Sequence, residues 1–175
     1  MELHRTEVLT SQTGALIPVT YVGVLPHEGY VRDAVLDLKY HGKRGNAAQL
    51  AGIVNQVLPL LGGQYSVLTW APTTSAHQVK RGMDHAELIA RHVAASNGIR
   101  AVKLLRRVSA ISQTGASRNI RLMGPEFVSK PLRRHRNVLV IDDVVTTGAT
   151  FRAAAQALVN AGASSVVCIA PSRTM

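Results

Sequence analysis

The sequence predicts an α/β domain with a central, mostly parallel sheet flanked by helices, and three observations carry that reading. Short apolar runs alternate with amphipathic stretches of about a dozen residues, the pattern of strand–helix units rather than of a bundle or a sandwich. Val138-Leu-Val-Ile141 is apolar without interruption, as in a strand covered on both faces. The 175 residues are 46% hydrophobic and 17% charged, a globular composition, and their number suits one domain, residues 1–175, with no repeat or linker to divide it.

Each element has a local reason. Residues 4–24 read as a β-hairpin, TEVLT and ALIPVTYVGVL joined by a turn at SQTG. In 27–42, Val31, Val35 and Leu38 recur at helical spacing and Gly42 is a stop signal. Asn46 is placed to cap a second helix, AAQLAGIVNQVLPLL, broken by Gly62-Gly63. YSVLTWAP is a strand ending at Pro72; residues 84–96 form an amphipathic helix that starts at Asp84 and is closed by Gly98. AVKLL (101–105) is a further strand, and the polar, basic stretch 106–126 reads mainly as a loop, of a length that marks either a functional lid or a misassigned element. Strand NVLVI (137–141), helix TFRAAAQALVNAG ending at Gly162, and strand SSVVCIA complete the chain.

Composition excludes several function classes. Cys168 is the only cysteine, so no intramolecular disulfide and no Cys-based zinc site are expected, and a reducing cytoplasm is the natural setting. The start of the chain has no unbroken apolar segment of the signal-peptide kind, and no apolar run reaches the roughly 18 residues of a membrane span. Aromatic residues are 4%, too few for a platform on which bases stack. Lys and Arg number 20 against 10 Asp and Glu, a net +10 that points to an anionic partner, phosphorylated metabolite or nucleic acid.

Against that charge, VLVIDDVVTTGAT (138–150) sets two adjacent carboxylates at the end of an apolar strand. Ligands of open α/β sheets bind at the carboxyl ends of the strands. Thr146, Thr147, Gly148, Ala149 and Thr150 bring three hydroxyls and several backbone N–H groups to a helix N-terminus, a site suited to phosphate. Asp142 and Asp143 suit sugar hydroxyls, or the waters of a Mg²⁺ that a phosphate also holds. A P-loop NTPase also has a strand ending in acids, but it needs a G-x-x-x-x-G-K-[ST] loop, and HGKRGN (41–46) lacks both the spacing and the hydroxyl. Helix capping alone explains one Asp or one Thr, and leaves the combination unexplained.

These thirteen residues resemble the phosphoribosyl pyrophosphate motif of the type I phosphoribosyltransferases. The resemblance implies the type I phosphoribosyltransferase fold, with the N-terminal hairpin and helix as a small hood, and Mg²⁺ as cofactor. It also implies roles: Asp142 and Asp143 face the ribose hydroxyls and the metal, and Thr146–Thr150 cradle the 5′-phosphate. LKYHGKR (38–44), KRGMDHAELIAR (80–91) and SQTGASRNIRLMGPEF (112–127), in that order before the motif, resemble the ComF family of competence-associated phosphoribosyltransferase-like proteins. Two departures stand out. The four-cysteine zinc ribbon of many members is missing, and Arg81-Gly-Met-Asp-His-Ala-Glu87 stands where Arg-Gly-Phe-Asn-Gln-Ala-Glu is commoner. Arg121 falls where a family Arg is expected, whereas the later family Asn has no clear match.

In this fold the loop after WAP lies near the pyrophosphate, which makes Thr73, Thr74, Lys80 and Arg81 candidates. Arg81 is placed with the acid pair as catalytic, because cations there neutralise the departing charge. Arg106, Arg107, Arg118 and Arg121 belong to a basic stretch suited to closing over the ligand. Lys39, near a helix end, reads as charge complementarity to the helix C-terminus. His77, His85 and His92 lack metal-ligand spacing. Thr146 occupies the position of the Asp that hypoxanthine-guanine salvage enzymes use as a base, which disfavours 6-oxopurine salvage.

Two functions remain open at this stage. One is Mg²⁺-dependent transfer of a phosphoribosyl group to a nitrogen acceptor. The other is a non-catalytic binder of a nucleoside monophosphate or of single-stranded DNA in DNA uptake. A homodimer is compatible with either.

Overall fold

The computed structural model describes residues 4–73, 84–108, 125–133 and 136–174. Strands β1 (His4–Thr10), β2 (Leu16–Pro26), β3 (Val67–Trp70), β6 (Arg136–Ile141), β7 (Val144–Val145) and β8 (Ala163–Arg173) form one six-stranded sheet. Its order is β1-β2-β8-β6-β3, with β7 set against the end of β8. Strands β2, β8, β6 and β3 run parallel, and only β1 is antiparallel, paired with β2. Helices α1 (Gly29–Tyr40), α2 (Asn46–Val57), α3 (His85–Asn97) and α4 (Ala149–Asn160) flank the sheet. The predicted α/β architecture is therefore the observed one.

Strand β6 shows why a continuous apolar run is needed. Leu139 and Ile141 point to one face, where α1, α2 and α3 pack, while Val138 and Val140 point to the other, where Phe151, Ala155 and Leu158 of α4 lie. All four β6 residues are fully buried, each burial contributing about 1.5–3 kcal/mol. Thr69 of β3 is buried among them, and its Oγ1 accepts the Leu104 N–H at 3.2 Å. Cys168 is equally buried, its Sγ–H aimed at the Phe151 carbonyl 3.8 Å away, and burial pushes its thiol well above the ordinary thiol range.

Several expectations are corrected. The hairpin exists but is not a separate hood: β2 pairs with β8 along its length, because Val19 and Val22 complete the two apolar faces of the main sheet. Asn46 does not cap α2; Gly45 does, and the Asn46 amide donates to the Ala34 carbonyl at 3.4 Å. The expected second helix ends at Val57, and Leu58–Leu61 continues as a 3₁₀ turn around Pro59, which has no N–H to offer. The strand expected at 101–105 lies further on. Segment 100–102 meets β3 only through a bridge at Ala101, while β4 (Leu105–Val108) pairs antiparallel with β5 (Glu126–Ser129). The ends of the expected 106–126 loop are thus a two-stranded ribbon in which Arg107 stacks over the buried Phe127 ring at 5.8 Å.

Candidate functional site

The parallel strands end together, and a cavity of about 130 Å³ opens where they do. Five segments supply its lining: Lys39 from the last turn of α1, Ala71–Thr73 after β3, Asp84 at the start of α3, Arg107 of β4, and Asp142, Asp143 and Thr150 around the β6–α4 junction. Backbone bonds fix these segments to the sheet. The Ala71 N–H donates to the Ile141 carbonyl at 2.9 Å, and the Asp142 N–H to the Ile169 carbonyl at 3.3 Å.

Three carboxylates converge here. The Asp143 N–H donates to Asp142 Oδ1 at 2.8 Å, and the Thr73 N–H donates to Asp84 Oδ2 at 3.1 Å. Asp84 occupies the α3 N-cap position, and its side chain also holds the loop after β3. Burial, followed by the Asp143 charge, raises the Asp142 carboxyl well above its ordinary range, and burial raises Asp84 as well. The cation paired with them is Lys39, whose Nζ lies 2.8 Å from Asp143 Oδ1. Its position in the last helical turn is as the sequence indicates, but its charge is spent on the acid pair. Replacing Lys39 with Met is expected to destabilise the protein by about 1–3 kcal/mol, short of the loss for a fully buried pair because the lysine is 23% exposed. Urea unfolding measures this; an unchanged midpoint would mean that Lys39 acts only as last-turn charge.

The loop Thr146–Gly148 follows β7 and leads into α4. Gly148 is the N-cap with φ +79°, a left-handed conformation that a side chain resists. Thr146 and Thr147 are exposed, and the Thr147 hydroxyl faces the Ala149 N–H at 3.4 Å. The first-turn N–H groups of α4 have no intrahelical acceptor, so they are available to an anion. A glycine in β2 sets where this loop begins. A Cβ on Gly23 would lie 2.7 Å from Val145 Cγ1 and 2.6 Å from Arg173 Cβ, so only glycine lets β7 close against β8 beside it.

The structure thus gathers Asp142, Asp143, Thr150 and Thr73 around one cavity, with Thr146, Thr147, Gly148 and Ala149 in the adjoining loop. Thr74, Lys80, Arg81 and Arg121 lie outside the described residues, as do His77 and Arg118. Arg107 reaches the cavity; Arg106, next in the ribbon, turns to the opposite face. Lys39, Asp84 and the buried His85 are the lining residues whose part in the site the sequence did not reveal. Among the described residues no cluster of three or more His, Cys, Asp or Glu is arranged to hold a metal. The Asp142–Asp143 donor set does fit a hard, oxygen-seeking cation completed by water and a ligand phosphate.

The phosphoribosyl transferase domain model matches residues 80–173, and the chain belongs to that family. Among solved structures, the crystal structure of TT1426 from Thermus thermophilus is similar over 72% of this chain and 72% of that one, at 19% identity and a TM-score of 0.43. No curated protein matches the chain.

Proposed function

We propose that the protein binds phosphoribosyl pyrophosphate together with Mg²⁺ and transfers its phosphoribosyl group to a nitrogen acceptor. The observation that carries this reading is the junction after β6, where Asp142, Asp143 and Thr150 line one cavity and Gly148 opens the N-terminus of α4. In this reading the acids take the ribose hydroxyls and Mg²⁺, and Thr146–Thr150 take the 5′-phosphate. Thr73, Thr74, Lys80 and Arg81 serve the pyrophosphate, and Arg121 adds a further cation for the ligand. The acceptor nitrogen bonds to C1 of the ribose as the C1–O bond breaks; the bonding pair leaves with pyrophosphate, and the nitrogen sheds its proton. Bound Mg²⁺ supplies charge neutralisation to the pyrophosphate oxygens. The protein's own residues orient the ribose and exclude water from C1.

Within the family, the three stretches at 38–44, 80–91 and 112–127 support a ComF-type, single-domain protein of the cytoplasm, acting in DNA uptake or nucleotide salvage. No helix among the described residues is long and apolar enough to cross a membrane. The test is a thermal melt with phosphoribosyl pyrophosphate and Mg²⁺, followed by a pyrophosphate-release screen across free bases. An upward shift and release with one base are the expected results, and no thermal shift would remove the ligand assignment. A shift without release from any base would leave a ligand-binding protein without transferase activity.

A further inference from the structure

The charge of this protein is unevenly placed. Residues 98–136 carry ten of its 20 Lys and Arg but one of its ten acids, Glu126. In the fold, residues 100–104 of this stretch run beside β3, and the β4–β5 ribbon that follows packs against α4. A hollow of about 240 Å³ there is lined by Arg100, Arg133 and Arg136. A second, of about 350 Å³, is lined by Lys103, Arg106 and Lys130, and the two share Leu104. Glu126 lines neither, nor does any other acid.

Ion pairing shows that this is more than the general basicity of the chain. Of the 15 described Lys and Arg, six hold ion pairs: Arg5, Arg32, Lys39, Lys43, Arg91 and Arg152. Of the nine without a carboxylate within 4.0 Å among the described residues, six are the cations of these two hollows. Five are exposed and Arg136 is partly so. Holding six like charges in two adjoining hollows whose linings contain no acid costs self-repulsion, which a polyanion would relieve.

We infer that this face binds the phosphate backbone of a double-stranded nucleic acid without reading its bases. Repeating phosphates match a run of separate cations better than one small anion does. None of the residues lining either hollow is aromatic, so there is no platform for unpaired bases, which gain about 1–3 kcal/mol each by stacking. A duplex offers the higher density of backbone charge. Val67 and Arg136 stand at the amino ends of β3 and β6, so the Arg100–Arg133–Arg136 hollow is at the opposite end of the sheet from Asp142 and Asp143. The inference therefore stands whether or not the cavity at Asp142 takes a phosphoribosyl ligand.

Fluorescence anisotropy with a labelled duplex of about 20 bp, and with one of its strands alone, at about 50–200 mM salt tests this. The duplex is expected to bind more tightly than the strand, with a log–log salt slope of about −5 for six neutralised phosphates. Arg100→Glu, Arg133→Glu and Arg136→Glu together are expected to weaken duplex binding by more than roughly tenfold and make the slope shallower by about 3. The same three changed to Gln should give a smaller loss in the same direction, and decide the matter if the Glu variant does not fold. Arg32→Glu, an equal charge change elsewhere, should leave affinity within about twofold. Lack of duplex binding at the lowest salt, equal affinity for the single strand, or wild-type affinity in the folded triple variant would overturn the inference.

Discussion

Asp142→Asn combined with Asp143→Asn is expected to abolish all stabilisation by phosphoribosyl pyrophosphate and Mg²⁺. Ligand at about a hundredfold over Kd adds about 2.7 kcal/mol to a protein that binds it. For a chain of this size that corresponds to roughly 5–11 °C in Tm. The double variant should show no shift, since under the proposed function the ribose and the metal lose their partners together. The ligand-free protein should respond with the opposite sign to Asp142→Asn alone, which leaves the Lys39–Asp143 pair in place. The Asp142 carboxyl is raised well above its ordinary 3.8 by burial and by the neighbouring Asp143 charge. Between 3.8 and that raised value the folded state keeps a proton that the unfolded chain has released. Stability therefore falls as pH rises through the window, and the penalty is fully present above it. Asparagine carries no such penalty. The variant should melt above wild type at neutral pH, and the difference should shrink toward about pH 4 as the carboxyl is neutralised in both states. Calorimetry at the two pH values measures this, and a variant that melts lower at neutral pH would contradict it.

Phe151→Ala is expected to give the largest loss of stability of any substitution considered, about 3–5 kcal/mol. Phe151 is 1% exposed and fills the space between α4 and the sheet, against the face formed by Val138 and Val140. Truncation leaves a void there, because β6 and β8 are each held by strands on both sides and cannot collapse into it. Urea unfolding should show a lower midpoint with an unchanged slope. Since Phe151 directly follows Thr150, the same variant should also bind phosphate more weakly. A loss below about 1 kcal/mol would show that α4 re-seats on the sheet.

The helices and the buried strands were legible because their signals are local. The apolar run before Asp142, the spacing of Val31, Val35 and Leu38, and the close of α3 at Gly98 each sit within one element. The β6–α4 junction was legible for the same reason, since acids, hydroxyls and glycine are adjacent in sequence. What escaped depends on distant partners. Lys39 looks like an ordinary last-turn cation until α1 is placed beside Asp143. Asp84 looks like a helix cap, and only the packed loop reveals that it binds the Thr73 N–H. The β4–β5 ribbon looks like loop in the sequence because Arg106-Arg107 breaks the alternation of apolar and polar residues, and the stacking of Arg107 on Phe127 that makes it tolerable is long-range. The membership of β2 in the main sheet follows from its pairing with β8, at the far end of the chain.

The single thiol offers a practical opening. Cys168 is fully buried, and its raised pKa keeps it protonated and slow toward alkylating reagents. The native protein is therefore close to a cysteine-free background for site-directed labelling. A cysteine placed on the arginine-rich edge and another beside the acid cavity could each carry a fluorophore with no prior mutation of Cys168. Events at the two ends of the sheet could then be followed separately in the otherwise native protein.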